Sequence, residues 1–147
     1  MAKAKTVKKM SLSDFFFADK HAAGSRMPIM LPGGEDSGEW LNVLGPDCDA
    51  AITAAREYTA AYRMAQESLA ALDAECKEKD NWAEYNDRLT RDMEPHNRIY
   101  AAKIVTGWSF DNEFTPEALA ELLHQFRGLA EAVAKFHTES RDAYLVK

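Results

Sequence analysis

Apolar residues recur along the middle of this chain at alternating spacings of four and three. From Asp49 to Lys79 there is no glycine or proline, and Ala51, Ala55, Tyr58, Tyr62, Ala65, Leu69, Leu72 and Cys76 mark one face. That two-per-heptad stripe is the seam two packed helices share. The stretch therefore predicts one long helix, capped by Asp47 or Asp49 after Gly45-Pro46, with its partner closest near Ala51 and Ala55, where the side chains are smallest. Asp80-Asn81 interrupts the run. A second helix starts at Trp82 and carries Trp82, Tyr85, Leu89 and Met93 on the same spacing, then His96, Ile99, Tyr100, Ile104 and Val105. Pro95 falls inside it, and a proline removes a ladder hydrogen bond and crowds the preceding turn, so a kink or break is expected near Asp92–Glu94. Gly107 serves as the C-cap in this reading. The two helices should form an antiparallel hairpin of roughly 45 Å per arm.

The pattern changes to a period of two before this hairpin. Met27, Ile29 and Leu31 alternate around Pro28, the turn residues Pro32-Gly33-Gly34-Glu35-Asp36-Ser37-Gly38 follow, and Glu39-Trp40-Leu41-Asn42-Val43-Leu44 forms a second extended run. Two such runs around a Gly/Pro/Asp loop predict a β-hairpin, with Pro28 confining the first strand to an edge. A lone hairpin is marginal in water, so it should rest on the helices or on a partner. Ahead of it, Ser13 and the run Phe15-Phe16-Phe17 suggest a single helical turn anchored by aromatics. After the long helices, Thr115-Pro116-Glu117 is a helix start, with a Thr cap, proline at the first helical position and an acid in the first turn. Leu119, Leu122, Leu123 and Phe126 line that helix, Gly128 allows a bend, and Leu129, Val133 and Phe136 line the next.

The expected fold class is thus mainly α: a long antiparallel helical hairpin plus short C-terminal helices, with a small N-terminal β-hairpin as a minor β part. Residues 1–10 read as a flexible basic tail and 11–147 as a single domain. Within it, 11–45 hold the short helix and β-hairpin, 47–106 the helical hairpin and 115–143 the two C-terminal helices. A chain of 147 residues is one domain's worth. The apolar fraction of 46% is that of a folded protein, but much of it is alanine, which predicts a thin core between elongated helices.

Charge narrows the function classes. Residues 1–20 sum to +3, leaving −9 for the remainder of a chain whose total is −6. An acidic body disfavours a nucleic-acid groove, which needs a clustered basic face. No apolar run approaches the ~20 residues that cross a bilayer. Met10 to Ala18 lacks the apolar core of a signal peptide, so the expected compartment is the cytosol. There, Cys48 and Cys76 are expected to be two semi-buried thiols.

Candidate chemistry is sparse. Gly33-Gly34 lacks the lysine and hydroxyl of a phosphate loop and is followed by Glu35 and Asp36. Among His21, His96, His124 and His137 no metal signature appears, and Glu121 with His124 supplies only two of the four ligands zinc takes. Acid pairs such as Glu75/Glu78 and Glu84/Asp87 fall on polar helix faces, and no serine stands in a strained elbow. The expectation is a protein with no catalytic residue, no metal and no cofactor. What remains is aromatic: Phe15, Phe16, Phe17, Trp40, Trp108, Phe110 and Phe114 lie in or beside loops. Such rings either close small cores between helix ends or serve as anchors for a partner. Phe15, Phe16, Trp40, Trp108, Phe110 and Phe114 are taken as the candidate partner-binding residues.

Four ordered pieces resemble a known family. They are Leu12-Ser13-Asp14-Phe15-Phe16, Ile29-Met30-Leu31-Pro32, the run Gly38 to Gly45, and the block from Thr106-Gly107-Trp108-Ser109 to Thr115-Pro116-Glu117-Ala118-Leu119. In this order they are similar to the tail assembly chaperones of long-tailed bacteriophages, the lambda-type group. Members commonly have Pro-Trp where Arg127-Gly128 stands in this chain. The resemblance implies a non-enzymatic chaperone that coats the tape measure protein, keeps it soluble and helps bring tail tube subunits to it. It also implies action in the host cytoplasm, absence from the mature virion and room for self-association. In the lambda-type system a fraction of the chaperone carries a frameshifted C-terminal extension; Tyr144-Leu145-Val146 would lie where one joins. The rival readings are a structural neck or tail component of the virion and a small regulatory protein using the basic tail on DNA.

Overall fold

The computed structural model describes residues 9–139; most of the basic tail and the segment Tyr144-Leu145-Val146 lie outside the described residues. The chain is mainly α, 65% helical, with one small sheet. Its helices are α1 (Phe17–Ala23), α2 (Asp49–Ser68), α3 (Ala70–Lys79), α4 (Ala83–Ile104), α5 (Pro116–Gln125) and α6 (Gly128–Glu139). Its strands are β1 (Ser25–Met30), β2 (Asp36–Val43) and β3 (Val105–Trp108), in the order β1-β2-β3 and antiparallel throughout.

The alternation around Pro28 does build an edge strand, paired to β2 through Met27 with Leu41 and Ser25 with Val43. Met27, Ile29, Leu41, Val43 and Val105 point inward and are buried. Helix α6 packs across β1 and β2, so the hairpin rests on a helix. Leu31, expected on the same face, lies past the strand and is 45% exposed.

β3 corrects the expectation that the second long helix ends at a Gly107 cap. The helix stops at Ile104, and Val105 turns to an extended conformation (φ −104°, ψ 125°) opposite Val43. Two unmet requirements favour the strand. The inner edge of β2 lacks a ladder partner without it, and Val105 and Thr106 are β-branched residues that fit a pleated surface. The Ile104 carbonyl, freed at the helix end, accepts from the Leu44 N–H at 2.8 Å.

The long first helix is also corrected: it divides at Leu69. The Ser68 hydroxyl donates to the Ala65 carbonyl at 2.7 Å, the acceptor that the Leu69 N–H would use in an unbroken helix. Leu69 instead donates to Gln66 at 3.1 Å, a tight turn, and α3 begins one residue later. The seam survives the division, since Ala51, Leu69 and Cys76 are buried, but its first half is rotated so that Ala54 is buried and Ala55 exposed. Conversely, Pro95 makes no break, and α4 is continuous across it. Pro95 is exposed, which leaves the Arg91 carbonyl that it cannot serve open to water.

The N-terminal segment is more ordered than a single turn. A 3-10 turn, Leu12–Phe15, starts at Ser11 rather than Ser13, with the Ser11 N–H donating to the Asp14 carboxylate at 2.8 Å. That bond, first among its causes, holds the Asp14 pKa below its ordinary value. α1 follows and is clamped at the β2–α2 corner. The Asp47 N–H donates to His21 Nδ1 at 2.8 Å, and the Gly45 N–H donates to the His21 carbonyl at 2.9 Å. Only glycine fits at 45, because a Cβ there would come within 2.4 Å of His21 Cγ. His137, from α6, donates through Nδ1 to the Leu44 carbonyl of the same corner at 2.6 Å.

Thr115 caps α5 as its sequence signals, accepting from the Ala118 N–H at 3.1 Å with Pro116 at the first helical position. Leu119, Leu123, Leu129 and Val133 enter the core with Leu41, Val43 and Ile104. Both cysteines are free and buried; Cys48 caps α2 and its thiol donates to the Gly45 carbonyl.

Candidate functional site

The six aromatic residues singled out by sequence occupy three separate places. Trp108, Phe110 and Phe114 come together in the β3–α5 loop. The Trp108 ring meets Phe110 at 5.4 Å and Phe114 at 5.0 Å between centroids, both edge to face. Such pairs add to the energy of simple burial. The indole N–H donates to the Asn112 carbonyl at 2.8 Å, which fixes the loop around the ring. All three rings pack against the main core. The outer edges of Trp108 and Phe110, with Asn112, Ala118, Glu121 and Leu122, leave a shallow, mostly apolar recess of about 330 Å3.

Trp40 lies on the opposite face of the sheet, because it alternates with the buried Leu41. The Arg26 guanidinium from β1 covers its ring at 4.2 Å. Its backbone N–H donates to the Ser109 hydroxyl at 2.8 Å, and its carbonyl accepts from the Ser109 N–H at 3.0 Å. The same hydroxyl contacts the Glu39 carboxylate, so Ser109 ties β2 to the end of β3. Phe15 and Phe16 stay 55% and 48% exposed, and Phe15 stands edge-on to Phe17 at 6.2 Å. The structure thus joins three of the six rings and separates the others.

A larger surface escaped the aromatic criterion. Between α2 and α4, on the side away from α6, runs an open groove of about 800 Å3. Its floor is built of small and aromatic residues, among them Ala54, Ala61, Ala65, Tyr58 and Tyr100, and Pro95 lines it at mid-length. Met64 and Ile99 stand along it at 69% and 49% exposure, unusual for large apolar side chains on a helix face. The ion pair of Glu57 with Lys103 closes one end, and Arg91 with Asp92 lines the other. The Tyr58 and Tyr100 rings meet at 5.5 Å between centroids, tilted by 60°. Burial, and secondarily the neighbouring Tyr58, raises the Tyr100 pKa above its ordinary value. A signal for this groove existed in α2. Ala54, Ala61 and Met64 make a second apolar stripe beside the seam, hidden among the alanines.

The arrangement suits shape-based contact with an extended apolar partner. Within α4, charged side chains pair one turn apart, as Arg98 with Glu94 and Arg91 with Asp87 do. Among the described residues no group of three or more His, Cys, Asp or Glu is placed to hold a metal ion, and no helix is long and apolar enough to cross a membrane. His21 and His137 are both buried and engaged at the β2–α2 corner.

A family model described as phage tail assembly chaperone matches residues 47–143, about two thirds of the chain. The matched stretch holds the helical hairpin with its groove, β3 and the Trp108 cluster, while Phe15, Phe16 and Trp40 precede it. No curated protein and no solved structure matches the chain.

Proposed function

We propose, on the premise that this chain belongs to the phage tail assembly chaperone family, that it binds the tape measure protein through the α2–α4 groove. The observation that carries this reading is the exposure of Met64 and Ile99 along a groove bordered by two antiparallel helices. A groove of this kind takes the apolar stripe of a third helix. A tape measure chain is long and helical, and before the tube surrounds it such stripes face water. Covering them successively with copies of a small acidic protein keeps the chain soluble. The sum over the described residues, −10, adds repulsion between coated chains.

In this reading the recess beside the Trp108–Phe110–Phe114 cluster is a second contact and receives the tail tube protein. Phe15, Phe16 and Trp40 are accessory anchors. The work needs no nucleotide and no metal and takes place in the host cytoplasm, and the protein is absent from the finished particle.

The test is co-expression with the tail proteins, affinity capture and mass identification of bound chains. Wild type should recover the tape measure protein. Met64→Asp with Ile99→Asp should abolish recovery and leave the thermal melt unchanged, since both side chains are exposed. Capture of portal or capsid proteins instead, or abundant protein in purified virions, would favour a structural component of the particle. Retention of the tape measure protein by the double variant would move the contact elsewhere.

A further inference from the structure

We infer that the helical hairpin is hinged at one level, so that its tip swings as a unit against its base. Two discontinuities carry the inference, one in each arm. In the first arm the Ser68 hydroxyl occupies the Ala65 carbonyl, and the Leu69 N–H is diverted to Gln66. In the second arm Pro95 has no N–H to give the Arg91 carbonyl, so the α4 ladder lacks one rung. The two defects lie side by side. Ala65, Ser68, Arg91 and Pro95 line the same stretch of the groove.

Their coincidence matters mechanically. A continuous helix braces a neighbour packed along it, and one weak point in a pair of helices bends little. With one rung missing from each ladder at the same level, bending there strains fewer hydrogen bonds than elsewhere in either arm. The surroundings differ on the two sides of that level. The base of α4 is packed against α5 and α6, whereas α3 packs chiefly against α4 and the end of α2. Leu69 and Met93, both buried, hold the pivot closed without fixing its angle. The groove ends at this level, between Ser68 and Arg91, so a swing of the tip alters its open end. The hinge itself depends only on the backbone and stands apart from the identity of any partner.

Pulsed electron-spin distances test it on the full chain, with Cys48→Ala and Cys76→Ala removing the native thiols. Labels at Thr59→Cys and Glu78→Cys span the hinge, ~28 Å apart along the arm, and labels at Asp49→Cys and Gln66→Cys sit within α2 alone, ~25 Å apart. The spanning pair should give a distribution about twice as wide as the internal pair, as a pivot between two rigid segments requires. Pro95→Ala, which restores the missing rung, should narrow it toward the internal width, and Ser68→Ala should do the same from the other arm. The internal pair reports whether each variant is folded. Equal widths for the two pairs, or a spanning width that neither substitution changes, would overturn the hinge.

Discussion

At the base of the hairpin Leu41, Val43, Ile104, Leu123 and Val133 are completely enclosed, whereas around its tip Leu69, Cys76 and Met93 are the buried apolar residues among those described. The base has three sources of cover: the sheet, the α5–α6 pair and the roots of both arms. The tip has two helices that can cover only each other. A two-helix layer always leaves one side of each helix facing water, so alanine suffices there and large side chains become exposed surface. The contrast teaches that large side chains are enclosed where three layers meet and left at the surface where two helices stand alone.

The largest expected effect sharpens this contrast. Leu123→Ala should lower unfolding stability by about 2–5 kcal/mol, read from urea denaturation, because the closely packed base cannot collapse onto the cavity. Leu69→Ala should sit at or below the low end of that range, since the tip relaxes toward solvent. Equal losses at the two positions would break the comparison. Thr115→Ala should cost about 1 kcal/mol by removing the oxygen that accepts the Ala118 N–H at the start of α5. At the tip the sign reverses. Asp80 ends α3 with φ +50°, so Asp80→Gly should raise stability by about 0.5–1 kcal/mol in the same assay.

pH probes the groove between the two ends. The folded pKa of Tyr100 is raised by burial above the value of about 10 in an unfolded chain. Its contribution is therefore fully present below pH ~10 and is lost as pH rises through the folded pKa. The urea midpoint should fall in that alkaline window for wild type and fall less for Tyr100→Phe. The smallest effect belongs to the exposed pair Glu75–Lys79, whose hydrogen bond lowers the Glu75 pKa and raises that of Lys79. Glu75→Ala should leave the melting temperature within experimental error, because water solvates both partners in the unpaired state.

Much of the candidate surface was hidden for a physical reason. Loop aromatics were the visible signal, yet Trp108, Phe110 and Phe114 largely close the corner between β3 and α5, where an indole can find the Asn112 carbonyl. The groove depends on which stripe of α2 faces α4. In an alanine-rich helix, neighbouring stripes differ too little in size to decide that from spacing. A rotation of one position, Ala54 inward in place of Ala55, determines which side Met64 faces.

What the sequence determined by itself is local. The Thr115-Pro116 helix start, the edge strand at Pro28, the divide at Asp80-Asn81 and the apolar stripes of α5 and α6 follow from capping, missing donors and periodicity, all set within a few residues. What only the tertiary structure decided is competitive. Val105–Trp108 leaves the helical pattern because β2 offers it a ladder, and Ser68 takes a carbonyl that helix propensity alone would reserve for Leu69. Pro95 stays helical because its exposed position leaves the Arg91 carbonyl to water and the packed base of α4 holds the axis. In each case two local conformations were close in energy, and the choice fell to a hydrogen-bond partner or a packing face brought from elsewhere in the chain.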